Sequence, residues 1–415
     1  MRQLLRVLML AFVYIVGLPG AMQAARRTRE PASETPRILL VRPDHLGDMV
    51  LTTPVFHALK SRLPNAHLTL MLGPWSSEVV ARHPDIDRLI LCSFPGLRRA
   101  AQNLFMPYVM LFSVAKQLRR QRYDLAINLR PDFWWGAALL YLARIPHRVG
   151  YAIAPGTPFL NRALSFITPE AATVSSLRLA SAALETLGGA PLAEPYTPEQ
   201  YPAQFAVSAE EEAWANARLQ QEGIDAATPI AVIHPGTGAA VKLWRNRAWV
   251  NCANALPALL TSPTPARIIL TGSGSERPML EEIAADITPP PVISSDMSVG
   301  QLAALLKRAK LVLGVDNGPL HLAVSQGTPT IHIFGPTDPR IFGPWGAPEQ
   351  HIVIAATTRC PGCSAIPCGR LNFSPLELAE HPCTKLVTEE AVTTAITSLL
   401  RAENICHSCQ EPRHL

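Results

Sequence analysis

Four short segments hold the residue types that do polar chemistry. The first, Arg42-Pro-Asp-His-Leu-Gly-Asp48, follows a buried-type apolar run, and its glycine permits a turn that delivers Asp48 to the start of a helix. Helix N-termini stabilise anions, so Asp48 reads as an ionised proton acceptor, with helix capping as the alternative role. The second, His234-Pro-Gly-Thr-Gly238 followed by Lys242, offers free backbone N–H groups, the Thr237 hydroxyl and a mobile positive charge. That set suits a phosphate, the alternative being an ordinary glycine turn. The third, Thr271-Gly-Ser-Gly-Ser-Glu276, places Glu276 where it accepts from ribose hydroxyls or caps a helix. The fourth is the fullest: Gly314-Val-Asp-Asn-Gly-Pro-Leu-His-Leu-Ala323. Here Asp316 stands ready for a sugar hydroxyl, and Gly318, Pro319, Leu320 and His321 open an apolar helix whose N-terminus binds anions. His321 either faces a phosphate or packs. Phe334-Gly-Pro-Thr-Asp338 adds a further glycine turn.

Three phosphate-competent loops in one half of the chain favour a nucleotide over a lone anion. No G-x-x-x-x-G-K-[S/T] is present, and no G-x-G-x-x-G with a downstream acid occurs in the first βα unit, which argues against ATPase and NAD chemistry together. Six of the eight cysteines lie within residues 360–409. Cys360, Cys363, Cys368 and Cys383 have the spacing of a structural zinc site, and Cys406 and Cys409 add another pair. Disulfides, or plain reduced thiols, are the competing states.

The elements that position these loops alternate strand and helix. Arg37–Val41, His67–Leu72, Arg88–Leu91, Asp124–Leu129 and Arg148–Tyr151 read as strands, with helical patterns at Leu97–Arg120 and Trp134–Leu142. Residues 188–208 hold four prolines and little periodicity, the signature of a linker. Alternation resumes with strands at Ile230–His234, Arg267–Thr271, Val292–Ser294, Leu311–Val315 and Thr330–Phe334. Helical patterns at Trp249–Leu259, Glu276–Asp286, Val299–Arg308 and Leu320–Gln326 lie between them. The expected fold is α/β: two doubly wound, Rossmann-like domains with a cleft between them, ligands sitting beyond the carboxyl ends of the strands. The expected division is 1–36 as an N-terminal segment and linker, 37–205 and 206–402 as the two domains with a Cys-rich insertion at 360–383, and 403–415 as a tail.

Composition narrows the class further. The 415 residues are 48% hydrophobic and 17% charged, ample for two cores and wrong for a disordered or coiled-coil chain. Net charge is +5, of which +3 lies before Arg37, where five arginines face Glu30 and Glu34. A body so nearly neutral is no evident nucleic-acid binder. From Val7 to Ala25 no residue is charged, with Arg6 before and Arg26, Arg27 and Arg29 after. Signal peptide, single membrane span, and membrane-surface segment or translated sequence upstream of the true start are the three readings of that stretch.

Taken together, RILLVRPDHLGDMVLTTPVFHALK, HPGTGAAVKLWRNRAW and GVDNGPLHLAVSQGTPTIHIFGPTDP resemble glycosyltransferase family 9, the heptosyltransferases of lipopolysaccharide core assembly, from about Arg37 to about Leu400. The resemblance implies a GT-B fold, the first domain receiving acceptor and the second nucleotide sugar. It makes Asp48 the general base, Lys242 a donor-phosphate contact, Glu276 a donor-ribose contact and Asp316 a donor-sugar contact. Phosphate then falls at Thr237 and at the helix start of Gly318, Pro319, Leu320 and His321. The implied donor is ADP-heptose, the acceptor lipopolysaccharide core or a related glycan, the reaction inverting and in need of no cofactor. Nucleotide sugars are made in the cytoplasm, so the expected place is the cytoplasmic face of the bacterial inner membrane, peripheral or anchored through residues 1–25. Two rivals are a nucleotide-sugar epimerase of the same fold and a non-catalytic, membrane-associated relative that binds nucleotide or glycan.

Overall fold

A computed structural model of the chain describes residues 2–28, 33–96, 105–260 and 264–410, with residues 2–5 and 402–410 described through the backbone alone. The chain divides into two compact units, Met1–Tyr201 and Pro202–Leu415.

The first unit is built on a six-stranded sheet: β1 (Arg37–Arg42), β2 (His67–Leu72), β3 (Arg88–Leu91), β4 (Leu125–Asn128), β5 (His147–Tyr151) and β6 (Arg162–Leu164). Their order is β3-β2-β1-β4-β5-β6, every pairing parallel. The second unit carries β7 (Ile230–His234), β8 (Arg267–Gly272), β9 (Val292–Ser295), β10 (Leu311–Val315), β11 (Thr330–Phe334) and β12 (His351–Ala355). Its order, β12-β11-β10-β7-β8-β9, is the same doubly wound topology repeated, again all parallel. Parallel strands are covered on both faces, which is why β1, β7, β10 and β11 read as unbroken apolar runs and are buried almost throughout.

Local signals set several helix ends. Ser208 with Glu211 forms a capping box on the helix Ala209–Gln221, and Ser298 with Gln301 does the same for Val299–Arg308. Gly223 and Gly327 stop their helices with φ of +69° and +72°, a backbone conformation that L side chains adopt only with strain.

The expected strands and helices reappear with small shifts at their ends. The helical pattern from Leu97 to Arg120 forms a helix over Met106–Arg119, its first eight positions lying outside the described residues. Residues 188–208 contain no helix or strand. Several elements had no counterpart in the sequence reading: the helices Ala172–Thr186, Ala209–Gln221 and Glu389–Gln410, the short helices Ser77–Val80 and Pro339–Phe342, and the edge strands β6 and β12. The first and third are rich in Thr and Ser, whose weak helix preference tertiary burial overrides; Leu177, Leu179, Val392 and Ile396 are at most 1% exposed.

Residues 1–36, set apart in the sequence as a segment and linker, enter the first unit through the helix Arg2–Arg27. One side of that helix is buried through Leu10, Val13 and Ala24. Tyr14 stacks on Tyr141 with ring centroids 5.4 Å apart, and the Tyr141 hydroxyl donates to the Tyr14 carbonyl at 3.0 Å. Arg27 pairs with Asp124 at 3.1 Å. The other side leaves Val7, Leu8, Phe12, Ile15, Val16 and Met22 exposed. By length and composition, Arg6–Arg27 suffices to cross a membrane. Gly17 is what lets the helix lie this close: a Cβ there would fall 2.2 Å from a ring carbon of Tyr141. Gly17→Leu is therefore expected to cost about 1–3 kcal/mol through overpacking, and to speed proteolytic cleavage before Arg37. Wild-type melting and cleavage patterns would remove this contact from the account of the first unit.

Candidate functional site

In both sheets the crossovers leave in opposite directions at one place, between β1 and β4 in the first unit and between β7 and β10 in the second. Loops at such a switch point open away from each other and leave a crevice at the carboxyl ends of the strands. The sequence-predicted residues fall on these loops.

In the first unit, β1 ends at Arg42, a buried arginine whose Nη1 donates to the Leu129 carbonyl at 2.8 Å. Its guanidinium also reaches Asp44 at 2.9 Å and Asp48 Oδ1 at 3.6 Å. Asp48 is the third residue of the short helix Leu46–Val50, and the capping position is His45 instead. The Asp48 side chain keeps 30% of its surface exposed, against 9% for Asp44. Asp44 is shared with Arg130, from the loop after β4, and Arg130 also holds Asp132 at 2.8 Å. Burial works to lower the Arg130 pKa, but Asp44 and Asp132 outweigh it and hold the guanidinium above its ordinary range. The result is a clamp of two arginines on the buried Asp44, with the exposed Asp132 on its outer side and Asp48, 30% exposed, beside it. Arg42, Asp44, Arg130 and Asp132 were missed in the sequence. The signal was present, since Arg42 and Asp44 stand in the quoted loop and Arg130-Pro-Asp132 follows a strand end.

In the second unit, Lys242 Nζ lies 3.0 Å from Asp316 Oδ2, with only 14% and 8% of the two side chains exposed. Thr337 Oγ1 donates to the same oxygen at 2.6 Å. A lysine ammonium has three N–H donors, so the Asp316 contact leaves capacity for ligand oxygens. Asn317 caps the helix Gly318–Ser325: its Oδ1 accepts from the Leu320 N–H, and its Nδ2 donates to the Gly236 carbonyl at 2.9 Å. That side chain ties the second and fourth loops together. Pro319 has no N–H and Leu320 is committed to the cap, so Gly318 supplies the first-turn donor. Thr237 Oγ1 is buried and takes no hydrogen-bond partner among the described residues, a hydroxyl left for a ligand.

Glu276 takes its capping role, accepting from the Ser273 N–H and hydroxyl through Oε2, both at 2.8 Å. Its other oxygen approaches Gly236 so closely that a Cβ there would sit 2.1 Å from it. The third loop therefore touches the second. His321 packs in the interior, its ring 5.8 Å from that of His332. Burial lowers its pKa to about 4 despite Asp316, so the imidazole is neutral near pH 7 and brings no charge to a phosphate. His234, hydrogen-bonded to Thr271 Oγ1 at 2.9 Å, is likewise lowered to about 4 by burial. Thr337 and Asn317 are the ligand-side residues the sequence reading left unassigned.

All six described cysteines are free thiols, so none of the competing disulfides forms among them. Cys360 and Cys363 meet His381, which the sequence reading missed although it stands in a His-Pro-Cys run. The side chains of Cys406 and Cys409 lie outside the described residues.

The model of glycosyltransferase family 9 (heptosyltransferase) matches residues 111–369. The chain belongs to this family. Among curated relatives, lipopolysaccharide heptosyltransferase 3 of Escherichia coli is 28% identical over 307 residues, 72% of this chain and 83% of the relative. Among solved structures, a family 9 glycosyltransferase from Veillonella parvula has a TM-score of 0.69 at 22% identity, covering 88% of this chain and 98% of that one. The E. coli ADP-heptose lipopolysaccharide heptosyltransferase II has a TM-score of 0.65 at 20% identity, covering 89% and 99%. The fold is thus the GT-B type of a transferase family, built from two Rossmann-like α/β units.

The buried histidines set an acid limit. With folded pKa values near 4 against 6.5, His234 and His321 stay neutral while the unfolded chain takes up protons. Stability is then unaffected above pH 6.5, falls as pH drops from 6.5 to 4, and levels off below, each histidine accounting for about 3 kcal/mol at the end of that window. In His321→Gln the melting temperature should fall less steeply between pH 7 and 5 than in wild type. Parallel curves would contradict a neutral, buried His321.

Proposed function

We propose that this chain is an inverting glycosyltransferase that moves heptose from ADP-heptose to a hydroxyl of the lipopolysaccharide core. The observation that carries the reading is the cluster of Lys242, Asp316 and Thr337 with the unpartnered Thr237 hydroxyl, set at the strand ends where a nucleotide diphosphate binds. The names of the curated relatives and the ADP-heptose of the E. coli enzyme support the sugar, nucleotide and acceptor.

In this mechanism Asp48 accepts the proton of an acceptor hydroxyl as that oxygen attacks the anomeric carbon. The bond from that carbon to the diphosphate oxygen breaks, and ADP departs with the electron pair. Lys242 and the Gly318 N–H neutralise the charge gathering on the leaving group, so the step needs no metal at the reacting carbon. Asp316 holds Lys242 in place and presents an oxygen to the donor sugar, while Glu276, whose Oε2 is committed to the cap, serves the ribose through Oε1. Arg42 and Arg130 keep the Asp48 loop fixed by pairing with its neighbour Asp44. An epimerase would need its acid and base at the sugar within the second unit. There Asp316 interacts with Lys242, already paired with it, and with a neutral His321.

The enzyme works, in this reading, at the cytoplasmic face of the inner membrane, where its donor is made. The helix Arg2–Arg27 lies along the first unit and presents an apolar outer side, with arginines near both ends and no acidic residue. Such a helix seats at the headgroup boundary of an anionic bilayer, each basic residue near the surface contributing about 1 kcal/mol.

Purified protein given ADP-heptose and a core acceptor should release ADP only when both are present; release or sugar inversion without acceptor would favour the epimerase. Asp48→Asn should lower transfer by ~10²–10⁴ while leaving donor affinity nearly unchanged, since an amide cannot take the proton. Wild-type turnover in that variant would remove Asp48 from the mechanism. Lys242→Ala should weaken donor binding by roughly 1.5–3 kcal/mol, the worth of a charge-assisted phosphate contact. Superimposable donor titrations would show that the loop holds something else.

A further inference from the structure

Residues 356–388, between β12 and the helix Glu389–Gln410, form a long stretch whose regular structure is two short 3₁₀ turns, Leu378–Glu380 and Thr384–Leu386. Irregular segments this long are held by something other than backbone ladders. Its interior is a knot of thiols and one imidazole. Cys360, Cys383 and His381 are buried, at 2%, 3% and 6% exposure, and Cys363 is half-buried. The Cys363 N–H donates to the Cys360 carbonyl at 3.1 Å, closing a Cys-Pro-Gly-Cys turn. Gly362 within that turn sits against His381, where a Cβ would lie 2.9 Å from the ring. Cys363 Sγ is 3.2 Å from His381 Nδ1, and the ligand atoms of Cys360, Cys363 and His381 all fall within 4.8 Å of one another. Cys383 lies close enough to Cys360 for thiol–thiol hydrogen bonding, and Cys368 to Cys363. Ligand atoms around a tetrahedral zinc stand about 3.5–3.8 Å apart, so small side-chain rotations suffice to close such a set on one ion.

We propose that Cys360, Cys363, His381 and Cys383 hold one structural zinc ion, and that this ion fastens the 356–388 segment to the donor loops. Three thiolates and one imidazole make a closed tetrahedral set, the pattern of structural rather than catalytic zinc. Binding releases the three thiol protons, and His381 ligates as neutral imidazole. Neither Cys368 nor Cys383 falls in the 4.8 Å group of Cys360, Cys363 and His381. Burial assigns the fourth position to Cys383, so the proposed set exchanges the half-buried Cys368 of the four-cysteine site expected from spacing for His381.

The link to the donor loops runs through Thr384, the neighbour of Cys383. Its buried hydroxyl donates to the Val241 carbonyl at 3.1 Å, next to Lys242. The same side chain fills the space beside Gly335, where a Cβ would fall 1.9 Å from its Oγ1. The Gly369 N–H donates to the Pro336 carbonyl at 2.8 Å. Gly335 and Pro336 directly precede Thr337, which holds Asp316. This second half of the proposal rests on reading the second unit as the nucleotide-binding one; the zinc itself does not.

The experiment starts with the full chain, purified without added metal and analysed by elemental mass spectrometry. One zinc per chain is expected; a chain free of stoichiometric metal overturns the site, and stoichiometric iron overturns the choice of zinc. Cys363→Ser and His381→Ala should lose the metal, whereas Cys368→Ser should keep it. Loss in Cys368→Ser with retention in Cys383→Ser would overturn the assignment of the fourth ligand. Should the ligand variants fail to fold, the wild-type metal content and Cys368→Ser still decide. Chelation of the wild-type protein should lower its melting temperature and weaken ADP binding roughly tenfold, about the loss of one hydrogen-bonded loop contact, and zinc alone should restore both. An unchanged ADP affinity after zinc removal would leave the assignment of the site standing and overturn its link to the donor loops.

Discussion

A parallel sheet wound in the order 3-2-1-4-5-6 has one point at which successive crossovers part, and each unit of this protein gathers paired polar side chains there. The constraint is geometric. Right-handed crossovers to either side carry their helices to opposite faces, so the loops after the two central strands cannot cover one another. Every polar residue of consequence in the second unit follows from this. Lys242 comes from the loop after β7 and Asp316 from the loop after β10, adjacent strands whose register places their ends side by side. Thr337 arrives from β11, the next strand outward.

The same geometry explains why the first unit spends buried charge so heavily. Arg42 and Arg130 sit at the ends of neighbouring strands β1 and β4, and Asp44 lies between them. Buried charges are tolerated only when paired, and here the pairing fixes the loop that carries Asp48. In the proposed role, Asp48 must be accessible while its backbone stays put. The clamp separates those two demands: Asp44 takes the burial and Asp48 keeps the exposure.

The N-terminal helix has two unlike sides. Its inner side is packed as a soluble core is packed, with Val13 fully buried and tyrosine rings stacked, while its outer side is as apolar as a membrane segment. A helix that crossed a bilayer alone would not need glycine at position 17 to approach Tyr141. Its length and composition suit a span equally well, and the packing is what favours a surface seat.

The sequence alone determined the alternation of strand and helix, because buried parallel strands are short apolar runs that little else imitates. It also marked loops that run from a strand end into a helix, since glycine, proline and asparagine at a helix start carry a fixed geometrical meaning. It did not determine the partners. Whether Glu276 capped its helix, whether His321 packed or reached outward, and which acid Lys242 would meet each depend on strand order and on distances across dozens of residues. His381 and Cys383 stand two residues apart, yet only the fold of the segment brings the Cys360-Cys363 turn back to them. The helices missed in the sequence tell the same story, for a Thr-rich helix forms where a neighbouring sheet buries one of its faces. Local pattern fixes which residues can act, while long-range packing decides what each one touches, because side-chain contacts are set by tertiary burial and not by spacing along the chain.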